Sequence, residues 1–234
     1  MIRKESAAAF TLIEMLVVIS IIVVLASFAV PAVISGLTKG QLVGTMNNAR
    51  QLYLAAQQMA LDGSTNSDAN LAWPGDYSAG VTTLENYCNK LIANDYLKAA
   101  DLPKLLSAPG ATCNVTAAAP DANGIVTVTL SGRSGLKVYK VRDTDSGNTI
   151  FAATANYTYN QPLSSTNPPY GDKGFILMRK GGDAVSLKKN NAQLSNYGGD
   201  QNKFQSAVGK LTGDADGTVT TEGADKILTN PTGQ

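Results

Sequence analysis

The chain has 234 residues, 44% of them hydrophobic and 16% charged, with 19 Lys+Arg, 18 Asp+Glu, two cysteines and no histidine. A net charge of +1 gives nucleic acid no bulk electrostatic hold, and no nucleic-acid partner is expected. Without histidine there is no Ser-His-Asp or Cys-His nucleophile system and almost no route to a catalytic zinc site, so the composition reads as a scaffold.

At the N-terminus, Arg3, Lys4 and Glu5 precede an apolar run. Met15–Thr38 holds 24 residues without a charge, interrupted only by Pro31. About 20 apolar residues cross a bilayer as a helix, and one proline is tolerated there. Bases ahead of the run favour a cytoplasmic N-terminus and a body beyond the membrane. A secreted chain is the alternative, with Ser27-Phe28-Ala29 as its small-residue cleavage site, although the apolar stretch continues past it to Leu37. Glu14 stands where the run begins. A carboxylate at membrane depth costs on the order of 3 kcal/mol, so such acids are usually functional; an interfacial carboxylate is the plainer reading.

The segment Ala9–Ile22, AFTLIEMLVVISII, resembles the N-terminal signature of type IV pilins and type II secretion pseudopilins. The likeness covers roughly the first 30 residues and says nothing of the rest. It implies that Met1–Ala9 is a leader removed on the cytoplasmic side by a prepilin peptidase. Phe10 is then the N-methylated first residue, Glu14 the assembly acid and Pro31 a helix kink. Ala9 departs from the glycine usual before the cut. The resemblance also implies an α+β, pilin-like fold, a long membrane-spanning helix packed on an antiparallel β-sheet head. Its implied partners are other pilin-like subunits in a homo- or hetero-oligomeric filament, an inner-membrane assembly platform and the membrane itself. The implied place is the bacterial inner membrane, with the head periplasmic or extracellular.

In such a filament the Phe10 amine of one subunit can pair with Glu14 of a neighbour. In a low-dielectric setting that pairing offsets two burial penalties and fixes axial register. Loss of the leader removes two of the 19 bases and one of the 18 acids, leaving 17 of each and no net self-repulsion.

Beyond the run, Leu42, Met46, Ala49, Tyr53, Ala56 and Ala60 recur at spacings of three and four, widened by Leu52 and Met59. Asp62-Gly63 supplies a stop. The pattern predicts one helix from Thr11 to Leu61, about 75 Å long. Gly36, Gly40 and Gly44 read either as a helix-association motif or as a locally weakened stretch where the helix can melt.

Ser64–Ala79 reads as a loop around Trp73-Pro74-Gly75-Asp76, and Leu84–Leu97 as a short amphipathic helix. Ile125–Leu130 and Leu136–Arg142 predict a hairpin closed by Ser131–Gly135. Thr149–Ala153, Asn156–Tyr159 and Gly174–Arg179 extend the pattern to about four antiparallel strands, and the tail after Lys180 is weakly patterned.

Cys88 and Cys113 read first as a disulfide closing a loop of about 26 residues, worth ~3–4 kcal/mol, and second as two buried free thiols. Asp214-Ala215-Asp216-Gly217 resembles part of a calcium loop, with Asp225 as a further candidate ligand, Thr212 in the first ligand's place and Gly223 where an acid is expected; a solvated turn is the competing reading. Calcium is the one candidate cofactor. Asp76, Glu85, Asp95, Asp143, Asp145, Asp172, Asp183 and Asp200 form no acid–base spacing, and no enzyme is expected.

The expected organisation is a leader over 1–9, a membrane and assembly helix over 10–38, its extramembrane half over 39–62 and a head over 63–234. The expected function is a structural subunit of a filament, first a type II secretion pseudopilin and second a surface pilin for adhesion or DNA uptake. A membrane-anchored or secreted binding module that never polymerises is the alternative of another class.

Overall fold

The computed structural model of the protein describes residues 11–77 and 80–231. The leader, Ala9 and Phe10 lie outside the described residues. The chain divides into two compact units, residues 1–40 and 41–234. In the first, the described part is the opening of helix α1 (Leu12–Asn66), which continues through Pro31. Its 18-residue apolar window has a mean hydropathy of 2.9 and no buried residue, so α1 is long and apolar enough to cross a membrane.

From Gln41 onward α1 is a core element of the second unit. Leu42, Ala49, Leu52, Tyr53, Ala56, Met59 and Ala60 are buried, so the predicted stripe faces the core, with Met46 at its margin. Polar ties repeat along this half. Tyr170 Oη lies 2.6 Å from Thr45 Oγ1 and donates to the Gln41 carbonyl at 3.0 Å. Asn48 Nδ2 donates to the Lys104 carbonyl at 2.9 Å, Tyr53 Oη to that of Lys180 at 2.6 Å and Tyr96 Oη to Asp62 at 2.7 Å.

The predicted stop at Asp62-Gly63 is not where α1 ends. The helix runs to Asn66 and is closed by Ser67 at φ +55°, with Asp68 N bonded to the Gly63 carbonyl at 2.9 Å in a Schellman arrangement. Gly63 is small for another reason: a Cβ there would overlap the Leu71 carbonyl. Helix α2 (Leu84–Ala93) is capped by Thr83, whose hydroxyl accepts from Asn86 N at 3.1 Å, and it stops short of Leu97 before Asp95 at φ +61°.

The expected hairpin does not form. Strand β2 (Val128–Gly132) pairs with β1 (Cys113–Ala117), a strand the sequence pattern did not reveal. β3 (Leu136–Val138) pairs instead with β4 (Ile150–Thr154). Gly132 at φ +80° and the bond from Arg133 N to the Thr112 carbonyl turn the chain out of the first ribbon. Residues 121–125 form a turn around Asp121, which shortens β2 from its expected start. The order β3-β4-β5-β6 completes an antiparallel sheet with β5 (Phe175–Arg179) and β6 (Ala184–Leu187). β4 and β5 are buried at every position, as central strands covered on both faces are.

Asn156–Tyr159 is a turn rather than a strand, with Asn156 Nδ2 donating to the Gly171 and Gly174 carbonyls. Two short helices, α3 (Leu102–Leu106) and α4 (Gln201–Val208), were not expected, and α4 packs Phe204 and Val208 into the core. The coarse architecture is therefore α+β, a long apolar N-terminal helix with antiparallel sheets.

Gly63→Ala should lower stability by about 1–3 kcal/mol through overpacking against Leu71. Thermal unfolding checks this, with a fall in Tm of roughly 5 °C expected.

Candidate functional site

Thr11 caps α1. Its hydroxyl accepts from Glu14 N at 3.3 Å, while Glu14 Oε2 accepts from Thr11 N at 2.8 Å and from Thr11 Oγ1 at 2.7 Å. This is a capping box. Its signal, T-x-x-E, stands in the sequence at Thr11–Glu14. Both bonds fall on Oε2.

Glu14 is also the single charge between Leu12 and Thr38, and the large side chains Leu12, Ile19, Ile22, Leu25, Phe28 and Leu37 are exposed around it. Three hydroxyls within this stretch fold back on their own helix: Ser20 to the Val17 carbonyl at 2.7 Å, Ser27 to that of Val24 at 2.7 Å, Thr38 to that of Ile34 at 3.0 Å. Such bonds satisfy these three hydroxyls in an apolar surrounding. Gly36, Gly40 and Gly44 would meet nothing within 4 Å if each carried a Cβ, so packing in the described chain does not require them.

The scattered acids serve the fold locally. Glu85 accepts from Leu130 N at 2.7 Å, Asp76 from Asp143 N at 2.7 Å and Asp145 from Arg142 N at 2.8 Å. Asp172 pairs with Lys189, Asp183 with Arg179, and Asp200 caps α4 by accepting from Lys203 N. Glu222 is an enclosed acid. Its carboxylate takes Lys137 Nζ, Tyr139 Oη at 2.6 Å and Tyr159 N at 3.0 Å, with the Lys137 and Glu222 side chains only 7% and 6% exposed. Burial pushes the Lys137 ammonium below the usual lysine range, and Glu222 opposes that shift. Nothing in the local pattern around Lys137 (LKV) announced a buried lysine.

Cys88 and Cys113 are free buried thiols, so the expected disulfide is not formed and the second sequence reading describes them. They belong to one apolar cluster where α2 lies on the β1–β2 ribbon. Burial pushes both thiols above their ordinary value, and Cys113 raises Cys88 further. Asp214, Asp216 and Asp225 do not converge. Among the described residues no group of three or more His, Cys, Asp or Glu could hold a metal ion.

A cleft of about 350 Å³ is lined by Pro74, Thr82, Lys140, Arg142, Asp225 and Lys226 among others. Its cations are partly committed: Lys140 donates to the Ala224 carbonyl at 3.2 Å and Lys226 to Asp214.

Because thiolate is the reactive form, the folded protein should leave both cysteines unlabelled by an aromatic disulfide reagent at mildly alkaline pH. Two thiols should be titrated after denaturation; rapid labelling of the folded chain would contradict the burial. Comparison of the chain with protein-family models, curated proteins and solved structures found no match.

Proposed function

We propose that the chain is a structural subunit of a type IV-pilus-related filament, first of the type II secretion kind, and that it performs no catalysis. The observation that carries this reading is the placement of Glu14. One carboxylate stands at the mouth of a helix whose apolar window has no buried residue, within the prepilin-like AFTLIE sequence.

The N-terminal segment inserts in a membrane with the head on its far side, as the bases Arg3 and Lys4 favour. Processing after Ala9 frees the Phe10 amine. Methylation keeps its positive charge. That amine meets Glu14 of a neighbouring subunit through Oε1, while Thr11 retains Oε2. The Thr11 amide belongs to the Phe10–Thr11 bond and so survives the cut, leaving the capping box intact in the mature chain. Apolar helix surface exposed in the single chain is then covered by lipid before assembly and by other helices after it. Surface apolar area of this extent is otherwise an interaction site waiting for cover.

Glu14→Val should insert in the membrane at wild-type levels yet yield no filament, because the neighbour's amine loses its counter-charge. Membrane fractionation and filament shearing measure the two quantities separately. Wild-type amounts of sheared filament from the variant would refute the role of Glu14. Loss of insertion as well would point instead to a plain anchor.

A further inference from the structure

Residues 209–228 contain no helix or strand, yet Leu211 and Leu228 are fully buried and Ile227 bridges Tyr139 beside β3. An irregular segment inside a core needs its polar groups paired. Its Gly- and Asp-rich sequence is of the kind that wraps oxygen atoms around a calcium ion, which takes six to eight of them.

Here the same oxygens are already filled by donors from the chain. Lys226 Nζ donates to the Thr212 carbonyl at 2.6 Å and to Asp214 Oδ1 at 3.0 Å. Asp214, whose side chain is 1% exposed, also accepts from Thr220 Oγ1 at 2.7 Å and Thr220 N at 3.3 Å. Asp216 points outward and pairs with Lys210 Nζ at 2.7 Å. Gln205 of α4 fixes the middle of the loop, donating to the Ala215 and Thr218 carbonyls and accepting from Gly217 N at 2.8 Å. Thr212 Oγ1 donates to Asp145 at 2.7 Å. The candidate ligands thus do not fit a divalent ion. Asp214 and Asp216 face different ammonium groups, and the enclosed carboxylate is neutralised by one of them.

We propose that Lys226 is the organising cation of the C-terminal loop, taking the position between the Thr212 carbonyl and Asp214 that a metal would occupy, so that residues 211–228 hold their structure without calcium. The proposal rests on this loop alone and is independent of filament assembly. Removing Lys226 leaves Asp214 as a buried charge without a counter-charge, held only by Thr220, which is far more damaging than removing both. A hydroxyl loss at Thr220 is the milder form of the same injury.

The test uses the full chain in detergent, with thermal unfolding followed in millimolar calcium chloride and in EDTA. The wild type should unfold at the same temperature in both. Lys226→Met should lower Tm by about 10 °C, and the double variant Asp214→Asn/Lys226→Met should regain at least half of that. Thr220→Val should lower Tm by a few degrees and carries the comparison if Lys226→Met does not accumulate. A rise of the wild-type Tm in calcium, or a calorimetric heat of calcium binding that Asp214→Asn abolishes, would overturn the proposal. An unchanged Tm in both Lys226→Met and Thr220→Val would do the same.

Discussion

From Leu12 to Leu37 the chain presents apolar side chains along a helix, and all of these residues are exposed. Apolar surface left in water costs about 25 cal/mol per Å². A run of this length is long and apolar enough to cross a membrane, where lipid would cover it. Other local features follow from that constraint. The hydroxyls of Ser20, Ser27 and Thr38 turn back to helix carbonyls, and the capping box at Thr11 satisfies orphan amides where the helix begins. Glu14 is the exception, a charge that its own helix only half engages.

The second unit uses the same helix in the opposite way. From Leu42 to Gly63 one face of α1 is buried, and Tyr53 packs with Trp73 and Phe151 at centroid distances of 5.6–6.0 Å, joining helix, loop and sheet. Tyrosines carry much of this core and also place hydroxyls on backbone carbonyls, as Tyr53, Tyr157 and Tyr159 do. The segment after α4 is fastened by lysine–carboxylate pairs rather than by regular structure. Lys137–Glu222 and Lys226–Asp214 are the enclosed ones, and each ties this irregular segment to a charge that would be costly to leave unpaired. Arg179 adds a further tie from β5 to the last carbonyls of α4.

What the sequence made legible was whatever repeats. The 3.6-residue stripe of α1 and the dense apolar strands β4 and β5 announce themselves because burial selects residue type directly. What it concealed depends on partners distant in the chain. Gly63 looked like a terminator because a helix-ending glycine and a close-packed glycine are the same residue; only Leu71 distinguishes them. The hairpin was misjudged because β2 and β3 are adjacent in sequence, whereas β1 had the exposed, Thr- and Asn-containing pattern of an edge ribbon. β6 and α4 were invisible in a tail rich in glycine, asparagine and lysine, where single anchors such as Phe204 and Leu211 supply the apolar contacts. At the N-terminus Glu14 stood out as a charge beside an apolar run, while its bond to Thr11 followed from helix-capping chemistry that the expectations for Glu14 did not include.

The central claim is that the apolar helix begins, in the mature protein, at a processed and charged N-terminus that a neighbour's Glu14 can meet. N-terminal mass spectrometry of the chain purified from its own cell membranes tests this most directly. The account predicts a first residue of N-methylated Phe10. An intact Met1 would make the segment a simple anchor, a start at Val30 would make the chain a secreted one, and either result would contradict the account.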